Sequence, residues 1–183
     1  MLSGTQGFED SLVALVETSP LAGIQLFEGD EIFGQSPVID GFLSYWQRKR
    51  TGERLPTRAD LDPRELGRLL PHAVLMDVIE EPGEIAPFRL RVRLIGSHVA
   101  ESFGEITGQD IAEMSNRAAA RRIYRMSAVA IERRAPVLSR VRGFAPGREH
   151  MQAFALYMPL RADGDGITKI FVAVDVRPDL EPD

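Results

Sequence analysis

Residues 88–95, with the sequence Phe-Arg-Leu-Arg-Val-Arg-Leu-Ile, alternate between apolar and basic side chains. Such alternation predicts a β-strand with one buried face and one polar face, which is typical of open antiparallel sheets. The apolar residues 73–80 precede this strand, and the turn-forming residues 81–84 (Glu-Pro-Gly-Glu) separate the two. The sequence therefore predicts an antiparallel hairpin with a longer loop.

The chain after this hairpin changes first to helical and then to strand periodicity. Residues 116–134 predict the longest helix, with a buried stripe of Ala119, Ile123, Met126 and Ala130. Turn-rich segments then separate three strands, which cover residues 137–144, 150–161 and 168–176. This order predicts an α+β fold in which a five-stranded antiparallel sheet carries helices on one face.

Helices are also predicted before the hairpin. An amphipathic helix covers residues 9–18. Ser36 and Pro37 begin a second helix, in which Ser36 takes the capping position. A third helix begins with a capping-box spacing at residues 62–65 and ends before Pro71. Residues 21–35 are compatible with either a small hairpin or a linker.

The composition excludes several classes of protein. Of the 183 residues, 44% are hydrophobic, which is enough to fill a core and excludes wholesale disorder. The lack of cysteine excludes disulfide scaffolds, thiolate metal sites and cysteine nucleophiles. No apolar run reaches the ~18 residues of a membrane span, and the first ten residues lack a signal-peptide pattern. We therefore expect a cytoplasmic protein with no membrane partner.

Charge is distributed unevenly along the chain. Residues 1–40 contain seven acidic residues and no Lys or Arg, and the remainder is close to neutral. An acidic leader disfavours binding to nucleic acid. We predict an acidic extension over residues 1–35, a domain over residues 36–178 and a disordered tail over residues 179–183. The extension is expected to mediate homodimerisation, because its helix needs a surface on which to bury its apolar face.

Several motifs are similar to those of a known family. They are Tyr45-Trp46, Leu55 to Pro63, Leu69 to Pro71, Arg91 to Gly96 and Phe103 to Gly108. Across residues 42–176 the chain resembles a family of small single-domain PAS-like proteins, common in alphaproteobacteria and formerly a domain of unknown function. The resemblance implies a PAS-like sheet and a sensing or regulatory role, with no named reaction. The signal is then expected to leave through a non-covalent partner.

The motif residues are predicted to build the scaffold. Residues before proline favour extended corners, and glycines occur where a strand gives way to a helix and the backbone needs a positive φ or a close approach. Arg58 and Asp60 are predicted to tie the helices to the sheet as a charged pair. The full set of structural residues is Trp46, Pro56, Arg58, Asp60, Pro63, Pro71, Arg93, Gly96, Gly104 and Gly108.

The sequence holds few groups suited to catalysis. It lacks histidine pairs with metal-ligand spacing, a phosphate loop and a nucleophile motif. We therefore predict a protein without catalytic activity, resident cofactor or metal. Two alternatives stay open: haem held by His98 as in some PAS folds, and a small-molecule enzyme that uses His98 or Tyr124 as acid or base. His72 and His150 are predicted to face solvent.

A ligand pocket is predicted between the inner sheet face and the long helix. Methionine side chains suit a cavity of irregular shape. The same residues are also compatible with a filled core, which would make the protein a ligand-free interaction adaptor. The candidate pocket residues are His98, Phe103, Met114, Ile123, Tyr124, Met126, Phe154 and Met158.

The long helix also carries a cluster of arginines, namely Arg117, Arg121, Arg122 and Arg125. The last three have no carboxylate three or four residues away, so the helix itself offers them no partner. They are interpreted either as a solvated face or as an interaction site for the acidic leader. Our leading hypothesis is a non-catalytic sensory or regulatory module that forms a homodimer and binds a small molecule or a signalling protein.

Overall fold

The computed structural model describes residues 23–180, which form six strands, four α-helices and four short 3-10 segments. The strands are β1 (Ile24–Glu28), β2 (Ala73–Ile79), β3 (Arg89–Ile95), β4 (Val137–Arg142), β5 (Met151–Arg161) and β6 (Ile167–Pro178). The helices are α1 (Pro37–Lys49), α2 (Pro63–Leu66), α3 (Ser97–Phe103) and α4 (Arg117–Arg133). Five strands and the helices α1, α2 and α4 were predicted from periodicity, and the observed bounds differ from the predicted ones by a few residues.

The six strands form one antiparallel sheet in the order β1-β4-β5-β6-β2-β3. The long hairpin of β5 and β6 is its centre, and the β2–β3 hairpin lies beside β6. The sheet therefore contains one strand more than the five that were predicted. That strand is β1, which pairs with β4 from Ile24 opposite Val141 to Glu28 opposite Val137.

The edge strand β1 changes the interpretation of the N-terminal region. Residues 24–32 of the predicted extension are a strand and a 3-10 turn of the domain itself. Ile32 in that turn is almost fully buried. The predicted helix over residues 9–18 lies outside the described residues, and so does the tail beyond residue 180. The proposed role of that helix in dimerisation stays a prediction.

Helices cover both faces of the sheet. Phe171 of β6 packs against Phe42 of α1, with ring centroids 5.6 Å apart. The next residue, Val172, points to the opposite face, which α3 and α4 cover. The prediction of helices on one face therefore holds for α3 and α4 and is corrected for α1. The result is a three-layer arrangement in which both sheet faces are buried.

Helix α1 is fixed by its aromatic residues and by its first residue. Trp46 is 1% exposed, and its indole Nε1 donates a hydrogen bond to the carbonyl of Pro159, 3.2 Å away. Ser36 occupies the N-cap position of α1 as predicted, but its hydroxyl forms no capping hydrogen bond with the helix. The Ser36 hydroxyl instead donates to the carboxylate of Asp175 at 2.6 Å, which ties the start of α1 to β6.

The connector between α1 and β2 is joined to the sheet by an arginine that was not predicted. The Arg161 backbone N–H donates to Pro56 O, and its side-chain Nε donates to Leu55 O, each at 2.9 Å. Arg58 and Asp60 do not form the predicted charged pair. Arg58 donates to the Leu61 carbonyl, and the Asp60 carboxylate accepts from the backbone and hydroxyl of Thr57.

The remaining motif residues have structural roles. Pro63 is the first residue of α2, and Arg93 forms an ion pair with Asp77 across the β2–β3 hairpin at 2.7 Å. Gly104 and Gly108 adopt φ of +86° and +85°, a region that favours glycine. Gly96 has an ordinary φ of −72° and instead allows a close crossing with Pro71. A Cβ atom at Gly96 would lie 2.1 Å from the carbonyl oxygen of Pro71.

Candidate functional site

A cavity of about 60 Å³ lies between the sheet and helices α3 and α4. Its floor is formed by alternate residues of β2, β4, β5 and β6 together with the end of β3, and its roof by α3, α4 and the loop between them. The lining is mostly apolar and comprises Val74, Met76, Ile95, Val99, Phe103, Ile106, Ile111, Met114, Arg122, Ile123, Ser139, Val141, Ala153, Ala155, Tyr157, Val172 and Val174.

Small side chains on β5 keep this space open. Ala153 and Ala155 are two residues apart, so both face the cavity, and Tyr157 follows on the same face. A strand with larger residues at these two positions would fill the space beneath α4. The sequence therefore creates the cavity by placing alanines at the centre of the sheet.

Three polar side chains reach this apolar space. They belong to Arg122 on α4, Ser139 on β4 and Tyr157 on β5. Burial lowers the pKa of Arg122, and Tyr157 acts in the opposite direction. Burial also raises the pKa of Tyr157 to about 12, against the opposing effects of the Arg122 charge and a hydrogen bond involving Ser139. At neutral pH the cavity thus contains one positive charge and two neutral hydroxyl groups.

A second polar group holds the roof in place from outside the cavity. The buried carboxylate of Asp110 accepts hydrogen bonds from the Tyr124 hydroxyl at 2.7 Å and from Arg89 Nε at 2.8 Å. The Tyr124 hydroxyl in turn accepts from the backbone N–H of Leu90 at 3.0 Å. Tyr124 is on α4, whereas Arg89 and Leu90 are on β3. This network therefore fixes the distance between the long helix and the edge of the sheet.

The structure brings three of the eight predicted pocket residues to the cavity, namely Phe103, Met114 and Ile123. The other five lie elsewhere. Tyr124 belongs to the Asp110 network, and Met126 is buried in the core. Phe154 and Met158 lie on the opposite face of the sheet, where the Arg177 guanidinium stacks 4.5 Å from the Phe154 ring centre.

His98 lies beside His72 and outside the cavity, with ring centroids 4.2 Å apart. Strand β2 begins at Ala73, opposite Ala173 of β6. Further along β6, the two histidine rings provide the hydrogen-bond partners that β2 does not. His72 Nδ1 donates to the Val174 carbonyl at 2.9 Å, and the Val176 N–H donates to His98 Nε2 at 3.2 Å. His72 is therefore half-buried and bonded, contrary to the prediction that it faces solvent, whereas His150 is exposed.

The two histidines form a group with Asp175, in which possible ligand atoms lie within 4.8 Å of one another. A ring nitrogen that accepts from a backbone N–H has no lone pair left for a metal, which applies to His98 Nε2. The Asp175 carboxylate already accepts from Ser36. Burial is the largest cause that lowers the pKa of His98, and the neighbouring His72 lowers it further. The arrangement is explained by hydrogen bonding to the sheet.

The four helix arginines separate into different environments. Arg117 pairs with Glu84 and also bonds the Ala112 carbonyl, whereas Arg121 is exposed. Arg125 is half-buried, and Arg122 lines the cavity. They do not form one common surface. Arg122, Ser139 and Tyr157 are the polar cavity residues, and none of them was predicted from the sequence to line the pocket.

None of the helices within residues 23–180 is long and apolar enough to cross a lipid bilayer. No curated protein and no solved structure matches the chain. A family model described as a PAS domain matches residues 35–173, which is well over half of the sequence. The match confirms the resemblance of the motifs and agrees with the α+β architecture. The chain therefore belongs to the PAS domain family, a family of sensory and regulatory modules.

Proposed function

We propose that this PAS domain is a non-catalytic sensor that admits a small molecule to the cavity beneath α4 and signals through a binding partner. The observation that supports this function is the cavity itself, which is lined almost entirely by apolar side chains. Burial of apolar surface contributes about 25 cal/mol per Å², so such a space favours a ligand with an apolar body. Met76 and Met114 have flexible side chains that adapt to ligands of different shape.

A cleft beside the cavity offers a route for entry. It has a volume of about 400 Å³ and lies between the end of α3 and the loop before α4. Phe103, Ile106 and Met114 line both the cleft and the cavity. Rotation of these three side chains would connect the cavity to solvent. A ligand held there would contact α3, α4 and five strands at once, so binding changes the packing of the whole roof.

The alternative of an enzyme receives less support from this geometry. Among the described residues that line the cavity there is no carboxylate and no imidazole. Those groups supply most general acid–base catalysis. The Tyr124 hydroxyl is committed to Asp110 and Leu90, and burial raises its pKa far above neutrality. His98 lies outside the cavity.

Filling the cavity is expected to abolish binding of small apolar probes. In the wild-type protein, dissolved xenon should shift the amide signals of cavity residues such as Ile123 and Ala153 in ¹H–¹⁵N spectra. In Ala155→Leu the added side chain occupies the same space, and these shifts should disappear. Native mass spectrometry of the purified wild-type protein should also detect a retained small molecule, and the variant should lack it.

Ala118→Leu is the matched control, because it places the same side chain on the exposed face of α4. It should behave like the wild type in both measurements. The proposal is wrong if xenon leaves the cavity amides unshifted in the wild type. It is also wrong if Ala155→Leu and Ala118→Leu give the same xenon response.

A further inference from the structure

Arg122 differs from Arg117 and Arg133 on its helix because it lines the apolar cavity without a carboxylate partner. Arg117 pairs with Glu84, and Arg133 pairs with Glu28 at 3.3 Å. Within residues 23–180 no acidic side chain forms an ion pair with Arg122. Its sequence neighbour Arg121 is exposed to solvent and needs no partner. Arg122 is thus the single charged side chain among the described residues that line the cavity.

Arg122 is half-buried, and a partly buried charge without a partner is unfavourable, since the group loses part of its hydration and gains little in return. Burial lowers the pKa of the Arg122 guanidinium, which shows the direction of this cost. An arginine nevertheless stays protonated at neutral pH. The cavity therefore holds a positive charge that an incoming anion would neutralise.

The neighbouring groups define which anion fits. A guanidinium presents N–H donors in a planar fork that matches both oxygens of a carboxylate. Ser139 and Tyr157 line the sheet side of the cavity. The Ser139 hydroxyl donates to Tyr157, which leaves the Tyr157 O–H as a further donor. The remainder of the lining is apolar, and it supplies no second cation for a dianion such as a phosphate monoester. One positive charge in an apolar space matches a single negative charge on an apolar body.

We propose that the cavity binds a small organic monocarboxylate, with its carboxylate on Arg122 and its hydrocarbon part between the sheet and α4. This inference rests on the proposed function and specifies the ligand class of the same site. Ligand charge then becomes part of the signal, because the bound acid completes an ion pair between α4 and the ligand. A neutral molecule of the same shape would leave the guanidinium unpaired.

The test compares straight-chain carboxylates from butanoate to octanoate with the neutral amides of the same length, by isothermal titration calorimetry. Each carboxylate that binds the wild type should bind at least tenfold more tightly than its amide. Affinity should rise about fourfold for each added CH₂ until the cavity is full. In Arg122→Met the preference for the carboxylate should disappear, and Arg122→Lys should restore part of it.

Arg121→Met is the control, since it removes the same charge from the adjacent exposed position. It should bind both series like the wild type. Arg122→Met should also raise the melting temperature of the ligand-free protein by about 2–4 °C, because an unpaired and partly desolvated charge is removed. That gain would show that the variant is folded when its binding is measured.

The possible results separate this inference from the proposed function. If carboxylates and amides bind the wild type equally well, the cavity is a ligand site but the inference about charge is wrong. The same conclusion follows if Arg121→Met weakens carboxylate binding as much as Arg122→Met does. If xenon occupies the cavity and no carboxylate binds, only the inference is overturned. If xenon leaves the cavity amides of the wild type unshifted, the proposed function fails as well.

Discussion

Gly96→Ala is expected to lower the free energy of unfolding by at least about 3 kcal/mol, at the upper end of the usual cost of overpacking. A Cβ atom at this position would lie 2.1 Å from Pro71 O and 2.4 Å from Pro71 C. Both are backbone atoms, which cannot rotate away as a side chain can. The φ of −72° suits alanine, so the effect is steric. Urea unfolding followed by circular dichroism would measure it.

Gly41→Ala in α1 is the matched control for this substitution. Its Cβ would also be close to a neighbour, at 2.9 Å from Leu69 Cδ1, but that atom is the end of a flexible side chain. Alanine is favoured over glycine within a helix by about 1 kcal/mol, which offsets the crowding. Unfolding should therefore change little. Equal stability of Gly96→Ala and the wild type would contradict the close crossing at Pro71.

Asp110→Ala is expected to destabilise the domain by about 3–5 kcal/mol, the range found when one partner of a buried polar pair is removed. The Asp110 carboxylate accepts from Tyr124, Arg89 and the backbone N–H of Ala112. Its loss leaves the Tyr124 hydroxyl buried without its acceptor. Chemical unfolding would give the magnitude, and the amide signal of Leu90 in ¹H–¹⁵N spectra would report on the altered contact between Tyr124 and β3.

Glu105→Ala provides the comparison, because Glu105 also accepts from a nearby backbone N–H and a hydroxyl, both of Thr107. Glu105 is exposed, so water replaces the lost bonds. Its removal should cost far less than removal of Asp110. Similar losses in the two variants would show that burial of the Asp110 network contributes nothing.

The same network predicts how stability depends on pH. Burial raises the pKa of Asp110, but the hydrogen bonds from Ala112, Tyr124 and Arg89 outweigh it and hold the pKa below its ordinary value. A carboxyl with a lowered pKa in the folded state stabilises the fold above about pH 4. This contribution is lost as the pH falls through the folded-state pKa. The stability difference between the wild type and Asp110→Asn should be constant from pH 5 to 7 and shrink below pH 4.

Most of the fold could be predicted from sequence because hydrophobic periodicity and turn residues are local signals. The bounds of β2 and β3 follow from the apolar runs around residues 81–84. Strand β1 has only five residues and gains its stability from β4, more than a hundred positions later. Its pairing has no local signal, and the choice between hairpin and linker for that region could not be made.

The cavity was harder to predict because β5 is buried on both faces. With α1 on one side and α4 on the other, nearly every residue of the strand is apolar. The hydrophobic pattern then no longer shows which of the two faces of the strand lines the cavity. The sequence-based prediction placed Phe154 and Met158 on the inner face of the sheet, whereas the smaller Ala153 and Ala155 face the cavity and leave it open.

Arg122 was missed for a different reason, since charged residues are normally placed at the surface. Its position on α4 did carry a signal. Arg122 is three residues after Ala119 and four before Met126, both fully buried, so helical geometry places it beside the same stripe. A charged residue within an apolar stripe indicates a buried site, and this interpretation could have been made from the sequence.

The two-sided burial of β5 and β6 also affects how this protein can diverge. Along these strands, one residue faces the cavity and the next faces the aromatic layer of α1. Substitutions at alternate positions can therefore reshape the cavity in descendants while the surfaces that hold α1 are inherited intact. Such changes can arise by single steps without rebuilding the scaffold.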